Sequence, residues 1–443
     1  MFTLLGAIET KGMKPAAFSD GEPVRKIEKL DNGLRVVTTC MPQMHSVAVG
    51  VWVACGLRHE PKHLNGISHF VEHLVFKGTK NRTDQQISQS IEGVGGVLNA
   101  STGEEITFYY SQVPREKFAL AVEVLLDIAI NPTFKEEYLE KQRSIVLEEI
   151  HMYEDRPSSV VQDMINEVMW GNHPLGRRIL GTEKSVQGIS RADIVEYHRR
   201  MYGAGNCVLS VAGAATHEEV VARVREHSRH ITRGARHRFK RVKDVQRKSR
   251  ALFHQRETEQ CHFCLGVRTF HREHPDRFAL KLLSTLLGEN MSSRLFQEVR
   301  EKRGLAYSIY TDIDRYIDTG ALVISAGVVI DRTREAIATV LREVKKLKDK
   351  PVSKRELGRA REYVLGQVKM GMDRVMSQMM WAGENLLLSR EVPSHEKIMR
   401  RLQAVTTDDI HRIANKIFVD DRLNLALIGP VSGDKGGVGW LKF

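Results

Sequence analysis

Apolar and polar residues follow the same order of patterns twice along the chain. In the first half, alternation predicts strands at 34–39, 47–54 and 105–111, and helical spacing predicts a helix that ends at Gly78 and helices near 115–130 and 135–153. In the second half, the predicted strands are 251–255, 261–268, 306–310 and 321–329, and the predicted helices are 275–287, 332–349 and 353–387. Each half closes with a helix and a strand, 191–201 with 208–212 and 407–418 with 424–428. An internal duplication explains this repetition better than chance does.

Strands followed by helix pairs predict an α+β fold with two homologous domains. Each domain is expected to be a mostly antiparallel sheet covered by helices on one face. The chain has 443 residues, of which 42% are hydrophobic and 28% charged, and this is enough for two or three domains with their own cores. We place the first domain at 1–228, a linker at 229–250 and the second domain at 251–443.

Most of the formal net charge of +12 lies in the predicted linker. Residues 229–250 contain ten lysines and arginines against one acid, Asp244, and the rest of the chain is nearly balanced. The segment has one aromatic residue, Phe239, and no RNA-binding motif accompanies it. We therefore interpret it as a solvated linker and expect no nucleic acid partner. An anionic partner, such as a membrane surface or nucleic acid, is the alternative.

The cysteines and the apolar runs bear on the cellular compartment. The start, Met1 to Glu9, has a short apolar run and no basic region before it, so we expect no secretory signal. No stretch approaches the length of a membrane span. The five cysteines form an odd, scattered set that favours a reducing compartment: Cys40, Cys55, Cys207, Cys261 and Cys264. We expect the protein in the cytoplasm.

Candidate metal chemistry lies on the helix that ends at Gly78. His69 and His73 are four positions apart, so both imidazoles project from one face of the helix, with Glu72 on the same side. Glu149 stands 76 positions beyond His73, at the end of a helix-patterned stretch. Two imidazoles and one carboxylate would leave the fourth position of a tetrahedral Zn²⁺ open, as a catalytic site requires.

The alternative for this pentad is a chance histidine pair that is merely solvated or satisfied in the core, since the chain has 18 histidines. The flanking residues argue against it. The other face of the helix is apolar: Ile67, Phe70, Val71, Leu74 and Val75. Burying three ionisable groups beside such a face is costly unless something pairs them.

The chain resembles the inverzincin peptidases of the pitrilysin and mitochondrial-processing-peptidase type, and within them a bacterial-type processing peptidase similar to the beta subunit. The resemblance covers nearly the whole chain and rests on segments 30–37, 69–73, 95–102, 146–150 and 291–296. It implies that His69, His73 and Glu149 are zinc ligands and that Glu72 is the general base.

One position departs from the pattern of these peptidases. They commonly have a second carboxylate two turns before the ligand glutamate, where it supports a zinc-bound histidine, and this chain has Gln142 there. A glutamine carbonyl can still accept a histidine N–H, so we expect Gln142 to orient the histidine while zinc affinity falls.

The comparison of the two halves predicts one zinc ion per chain. Residues 145–150 align with 363–368, so Gln367 stands at the position of Glu149. The helix at 275–287 that matches the motif helix has no histidine near its centre. We expect no second metal site at Cys261, Cys264, His271 and His274, because this spacing fits no standard zinc pattern and the cysteine pair lies in an alternating strand pattern.

The resemblance also implies how a peptide substrate binds. Asn99, Ala100, Ser101 and Thr102 follow Gly95-Gly96, and without the resemblance a plain turn is an equally good interpretation. In the related peptidases this segment pairs with the backbone of an extended peptide, a mode that tolerates many side chains.

Two residues of the second half are candidates for the transition-state pocket. Arg300 and Tyr307 alone would be interpreted as a surface arginine and a half-buried strand tyrosine, but similar residues in these peptidases hold the substrate and steady the oxyanion. Arg303 is a less favoured candidate for the arginine. In relatives of this length two chains close around a chamber, so we expect a homodimer, or a heterodimer with a related chain, in which Arg300 and Tyr307 act in trans.

These observations predict a zinc-dependent endopeptidase that cleaves extended or unfolded peptides inside a closed chamber. The alternative is a non-catalytic peptide-binding or scaffold subunit of the same fold, in which Gln142 cripples metal binding. Such relatives usually have broken motifs, whereas this chain keeps the three ligands and the base.

Overall fold

The computed structural model describes residues 24–243, 246–431 and 437–443, and within them two β-sheets surrounded by helices. The first sheet contains β1 (Val24–Lys29), β2 (Arg35–Cys40), β3 (Ser46–Val53), β4 (Val97–Thr102), β5 (Thr107–Pro114) and β6 (Cys207–Gly213). The second contains β7 (Arg250–Gln255), β8 (Cys261–Thr269), β9 (Ala306–Arg315), β10 (Gly320–Val328) and β11 (Asn424–Gly429).

Fourteen α-helices are found in the described ranges. The first eight are α1 (Ile67–Val75), α2 (Asp84–Glu92), α3 (Phe118–Ile130), α4 (Glu136–Glu154), α5 (Pro157–Trp170), α6 (Glu183–Gly188), α7 (Arg191–Met201) and α8 (His217–Ser228). The other six are α9 (Arg277–Leu287), α10 (Thr333–Asp349), α11 (Lys354–Met372), α12 (Val375–Leu388), α13 (His395–Gln403) and α14 (Thr407–Ile417).

The two sheets have the same topology. Their strand orders are β1-β2-β6-β3-β5-β4 and β7-β11-β8-β10-β9, so the second repeats the first without β1. Each sheet has one parallel pair, β2 with β6 and β7 with β11, and its other pairs are antiparallel. The predicted fold of two homologous halves with mostly antiparallel sheets is confirmed.

Both faces of the first sheet are buried, as the apolar sequence of β3 shows. Val49 and Val51 point into the core shared with α1 and α3. Ala48 and Trp52 point to the opposite face and pack against α12. Because side chains alternate along a strand, a run that is apolar at every position is buried on two sides.

Each half sends one helix across to the sheet of the other half. Helix α12 covers the far face of the first sheet, and α5 covers the far face of the second. The expectation of helices on one face is therefore wrong, since each sheet is covered on its second face by a helix from the other half. The single helix predicted at 353–387 is also wrong, because the chain breaks at Asp373 and Arg374 before α12 departs toward the first sheet.

A buried ionic cluster around Arg58 joins the two halves to the linker. Its guanidinium donates to Glu105 at 2.5 Å and to both carboxylate oxygens of Asp318 at 2.8 and 3.0 Å. It also donates to the carbonyl of Lys240 at 3.0 Å and stacks on Phe239, 4.0 Å from the ring centroid. Glu105 belongs to the first half, Asp318 to the second and Lys240 to the linker, so this cluster fixes all three together.

The predicted linker is exposed in its side chains and held through its backbone. Eight of its ten basic side chains are exposed, which agrees with a solvated segment. The carbonyl of Lys240 also accepts from His173 at 2.9 Å, and the amide of Val242 donates to Asp318 at 2.9 Å. The domain boundaries at 228 and 251 stay a prediction. Helices α5 and α12 each pack on the sheet of the other half, so the two halves are not separate bodies at these positions.

Residues 1–9, on which the expectation of no secretory signal rests, lie outside the described residues. None of the five cysteines forms a disulfide. Within the described ranges, no helix is both long and apolar enough to cross a membrane.

Candidate metal centre

Glu60 fixes the beginning of α1. Its buried carboxylate accepts hydrogen bonds from the backbone amides of Gly66 at 2.8 Å and Ser68 at 3.0 Å, and from the side-chain amide of Asn65 at 2.9 Å. Gly66 has a φ of 95°, and the carbonyl of Leu180 leaves no room for a Cβ there. Glu60 therefore replaces the side-chain cap that Gly66 cannot supply. This role of Glu60 was not predicted, because no local pattern marks an acid outside a helix as its cap.

The apolar face of α1 directs the two histidines away from the core. Ile67, Phe70 and Val71 are fully buried in the first core. The imidazoles of His69 and His73 project from the opposite face with ring centroids 4.6 Å apart. This is the arrangement that the spacing of four residues predicts.

Glu149 on α4 comes to the same point. Its Oε2 lies 3.5 Å from Nε2 of His69 and 3.4 Å from Nε2 of His73. The three ligand atoms lie within 4.8 Å of one another, and this is the only such group of His, Cys, Asp or Glu residues in the part of the chain that the structure describes. Residues 76 positions apart in sequence thus form one three-ligand cluster.

The protonation states of His69 and Glu149 favour the binding of a cation. Burial, reinforced by the neighbouring His73, lowers the pKa of His69 to about 4, so that its imidazole is neutral and able to act as a ligand. A hydrogen bond from His73 lowers the pKa of Glu149 against the effect of burial, so this group is a carboxylate. Two imidazole nitrogens and one anionic oxygen form a donor set for Zn²⁺.

Two buried polar atoms at this cluster have no hydrogen-bond partner among the described residues. They are Nδ1 of His69 and Oε2 of Glu72. Burial raises the pKa of Glu72, and a hydrogen bond from Thr102 and the nearby His73 oppose this shift. A carboxylate with a raised pKa and a free oxygen is suited to take up a proton.

A cavity of about 300 Å³ opens beside the cluster. It is lined by His69, Glu72 and Glu149, and by residues 100–102 of β4. Of the four predicted substrate-binding residues, Ala100, Ser101 and Thr102 therefore lie at the cluster. Asn99 does not line the cavity, and its side-chain oxygen accepts from the amide of Ala100 at 2.8 Å.

β4 is an edge strand of the first sheet. Its only strand partner within the described ranges is β5. The tight turn before it requires glycine, because Gly95 has a φ of 77° and a Cβ at Gly96 would overlap Ile91 and Val113. Because β4 pairs with β5 on one side, its other edge is open to a further strand.

The opposite wall of the cavity was not predicted. It is formed by Glu154, by Asp163 of α5 and by residues 178–181, and Arg178 donates to Glu154 at 2.6 Å. Burial raises the pKa of Asp163 to about 6, with Arg178 opposing and Glu104 and Glu154 adding to the rise. Asp163 shares α5 with Gln162 and Glu167, so no local pattern in the sequence distinguishes it.

Gln142 does not make the predicted contact. It is buried on α4, but its side chain forms no hydrogen bond with any described residue, and Nδ1 of His69 is without a partner. The offset from Glu149 along α4 therefore does not bring the amide into contact with the histidine.

Arg300 and Tyr307 lie together in the second half. The Arg300 guanidinium carbon is 5.5 Å from the Tyr307 ring centroid, and Tyr307 is 75% exposed. Tyr307 is the extra residue of a β-bulge between β9 and β10, and Arg300 belongs to a short π-helix at Phe296–Glu301. Bulges and π-helical turns often re-aim side chains at functional sites. Neither residue lines the cavity at the metal ligands.

Two other candidates of the second half do not take part in a site. Arg303 is bound to Glu298, whose carboxylate accepts from its Nη1 at 2.6 Å. Cys261 and Cys264 point to opposite faces of the second sheet, since Cys261 belongs to its inner core and Cys264 packs against α5. Because the two side chains point to opposite faces of the sheet, Cys261 and Cys264 cannot bind one metal ion together.

Two family models and several named proteins are similar in sequence to this chain. The family described as "Insulinase (Peptidase family M16)" matches residues 35–183, and "Peptidase M16 inactive domain" matches residues 188–364. A Bacillus subtilis protein named "Uncharacterized zinc protease YmxG" is 35% identical over 399 residues, which are 90% of this chain and 97% of the relative. A Rickettsia bellii protein named "Uncharacterized zinc protease" is 34% identical over 405 residues, 91% of this chain and 97% of the relative.

Solved structures share the fold. A protease from Helicobacter pylori has a TM-score of 0.87 at 22% identity and covers 93% of this chain and 100% of its own. A Pseudomonas fluorescens structure titled as a peptidase M16 inactive domain has a TM-score of 0.84 at 20% identity, over 93% of this chain and 99% of its own. At these identities the likeness establishes the two-half fold.

Proposed function

Because the chain belongs to the peptidase M16 (insulinase) family, we propose that it is a zinc-dependent endopeptidase acting on extended or unfolded peptides. One observation carries this proposal. His69, His73 and Glu149 form a three-ligand cluster in the same cavity as a carboxylate with a free oxygen and an open strand edge. A structural metal site would instead be closed by four protein ligands.

The three ligands would hold one Zn²⁺ per chain. When bound there, zinc supplies Lewis-acid chemistry that polarises water and the scissile carbonyl. Glu72 takes the proton of the attacking water at its free Oε2, which the raised pKa favours. It then returns this proton to the leaving amine, so that one residue acts as base and as acid.

The substrate backbone would add to the first sheet as a strand beside β4. The free edge of this strand offers main-chain donors and acceptors at residues 99–102, and Ala100, Ser101 and Thr102 already line the cavity. Main-chain pairing gives affinity with little dependence on side chains. The substrate is therefore a peptide with a loose sequence preference.

Arg300 and Tyr307 would stabilise the oxyanion from a second copy of the chain. The two residues lie together, are partly or largely exposed, and are absent from the walls of the cavity in their own chain. A dimer that faces the second half of one chain toward the cavity of the other brings them to the scissile carbonyl and encloses a chamber.

The alternative of a non-catalytic scaffold subunit predicts no turnover. Relatives of this chain are named zinc proteases, and the base Glu72 lines the cavity together with the ligands His69 and Glu149. A scaffold has no need of a glutamate whose buried Oε2 has no hydrogen-bond partner, because such an atom costs stability.

The substitution Glu72→Gln tests the proposal. It keeps the shape of the side chain and removes the base, so we expect cleavage of a quenched fluorescent peptide to fall by about a hundredfold or more. Zinc content, measured by mass spectrometry of the purified variant, should equal that of the wild-type chain. Glu148→Gln, on the exposed side of α4, is the matched control and should keep full activity. Retained cleavage in Glu72→Gln would contradict the role of Glu72.

A further inference from the structure

The second half contains a cavity of about 510 Å³ between β9 and helices α9, α11, α12 and α13. Its apolar wall includes two aromatic rings, Phe278 and Trp381, and aliphatic side chains of α11 and α13. Its charged wall is mainly cationic, with five basic residues against two acids: Arg272, Arg277, Lys281, Arg315 and Lys397 against Glu273 and Glu391.

This cavity lies where the duplication places the counterpart of the metal centre. Helices α9 and α11 pack together in the second half as α1 and α4 do in the first. An adjoining cavity shares Lys281 and Arg315 with it and includes Gln367, which stands at the position of Glu149. The second half therefore has a cavity at the position that corresponds to the metal centre. Basic residues line this cavity, whereas metal ligands line the cavity of the first half.

Three of the five basic residues are neutralised by acids. Arg272 donates to Glu384 at 3.0 Å through both of its terminal nitrogens. Lys281 pairs with Glu289 at 2.5 Å, and Lys397 pairs with Glu391 at 3.2 Å. These pairs contribute no free positive charge to the cavity.

The other two basic residues have no acid at ion-pair distance in the described part of the chain. The Arg277 guanidinium carbon lies 4.7 Å from the Phe278 ring centroid, and its Nη1 donates to the carbonyl of Arg272 at 3.3 Å. The exposed side chain of Arg315, at the end of β9, makes no hydrogen bond or ion pair with a described residue and lines both cavities. Two guanidinium groups without counter-ions beside a hollow favour an anionic ligand.

We propose that this cavity binds a carboxylate group of the peptide substrate through Arg277 and Arg315. The carboxylate is the C-terminus or an acidic side chain, and the neighbouring apolar residues of the peptide pack on Phe278 and Trp381. This assignment rests on the proposed peptidase function, since it makes the second half a second anchoring point for the same substrates.

The surroundings favour a peptide over a free inorganic anion. Aromatic and aliphatic walls stabilise an apolar body next to the charge, which phosphate lacks. β9 is also the edge strand of the second sheet, with β10 as its only strand partner in the described ranges. The outer edge is taken at Thr311, whose amide donates to the carbonyl of Gly288 at 3.3 Å, and the rest of it can hold the backbone of an extended chain next to Arg315.

Binding to the Glu72→Gln chain separates this inference from catalysis. Three fluorescent peptides of one apolar sequence are compared by anisotropy: one with a free C-terminal carboxylate, one amidated with an internal Asp, and one amidated with Asn in its place. We expect at least one carboxylate peptide to bind about tenfold tighter than the neutral peptide, as charged hydrogen bonds of this kind provide. Cleavage of the neutral peptide by the wild-type chain tests the proposed function independently.

The variant Arg315→Gln, made in the Glu72→Gln chain, should reduce this preference to about twofold or less, and Arg315→Lys should retain part of it. Arg355→Gln removes the same charge from an exposed position on α11 and should leave the preference unchanged. Equal binding of all three peptides, or a preference that survives Arg315→Gln, would overturn the inference. Displacement of the carboxylate peptides by equimolar inorganic phosphate would also overturn it, in favour of a free-anion site. Circular dichroism of each variant confirms that it is folded.

Discussion

His69 and Glu72 carry the clearest sign of function at the scale of single residues. A buried nitrogen or oxygen without a partner costs about 1–3 kcal/mol, and α1 carries two such atoms, Nδ1 of His69 and Oε2 of Glu72. Both belong to side chains that line one cavity. For Oε2 of Glu72 the cost is explained if this cavity binds water and a peptide. For His69, Nε2 is the nitrogen that faces Glu149, so Nδ1 stays without a partner even when a cation is bound.

The predicted contact between Gln142 and a ligand histidine is absent, and this has a measurable consequence. Because the amide makes no hydrogen bond with a described residue, Gln142→Met should change the zinc dissociation constant by less than about threefold, whereas loss of a supporting hydrogen bond costs about 10–100-fold. Competition with a chelating dye measures this constant.

Glu149→Gln serves as the comparison, because it removes a ligand and should weaken binding far more. A loss of tenfold or more in Gln142→Met would show that Gln142 supports a ligand histidine when zinc is bound.

Much of the candidate site could be predicted at this scale, and the remainder could not. The spacing of His69 and His73 fixes their relative position because both lie on one helix. Glu149 was a candidate from its place at the end of a helix-patterned stretch, and the resemblance to related peptidases made it the expected third ligand. Glu60 and Asp163 reach α1 and the cavity only through the tertiary fold, and no local pattern marks such contacts.

The exchange of α5 and α12 is the main structural feature at the scale of elements. Each helix packs on a central strand of the other half at a glycine: Met379 of α12 lies against Gly50 of β3, and Met169 and Ile165 of α5 lie against Gly266 of β8. A side chain at either glycine would push the helix off the sheet. The close packing therefore holds the two halves together, because each helix covers the far face of the other half's sheet.

A glycine on α12 tests this packing. A Cβ at Gly383 would overlap the indole of Trp52, so Gly383→Ala should destabilise the protein by about 1–3 kcal/mol through overpacking and lower its Tm. Thermal unfolding followed by tryptophan fluorescence measures the change.

Gly358→Ala is the matched control on α11, where nothing lies near an added Cβ. It should raise stability by about 0.5–1 kcal/mol, because alanine favours a helix over glycine. Equal effects at the two positions would contradict the proposed packing between α12 and the first sheet.

The order of the elements was largely predictable, whereas their exchange was not. The duplicated pattern correctly predicted the two sheets, since alternation reports which residues face a core. The apolar residues at every position of β3 indicate that both faces are covered. They do not identify the covering helix, because α12 is as apolar as a helix packed on its own half. Gly371 lies just before the break at Asp373, but α11 continues through Gly358 and Gly366, so a glycine alone does not mark the break.

At the scale of the whole molecule, the proposed role of Arg300 and Tyr307 calls for a second chain, because neither residue lines the cavity of its own chain. If they act in trans, a mixture of Glu72→Gln chains and Tyr307→Phe chains contains heterodimers with one intact composite site. We then expect the mixture to recover about a quarter of wild-type peptidase activity, while each variant alone is nearly inactive.

The two variants are mixed under conditions that allow subunits to exchange, and size-exclusion chromatography verifies the dimer. A mixture no more active than its parents would contradict action in trans. Ser308→Ala mixed with Glu72→Gln is the control for mixing itself, since Ser308 neighbours Tyr307 and has no proposed role.

The most direct test of the central claim is zinc reconstitution followed by peptide cleavage. The wild-type chain is stripped with a chelator, zinc is added back in steps, and hydrolysis of a quenched peptide library is recorded at each step. We expect no cleavage without metal. The rate of hydrolysis should then rise linearly with added zinc and saturate at one Zn²⁺ per chain, bound by His69, His73 and Glu149. Cleavage that persists in the stripped chain, or no cleavage at full zinc occupancy, would contradict the proposed function.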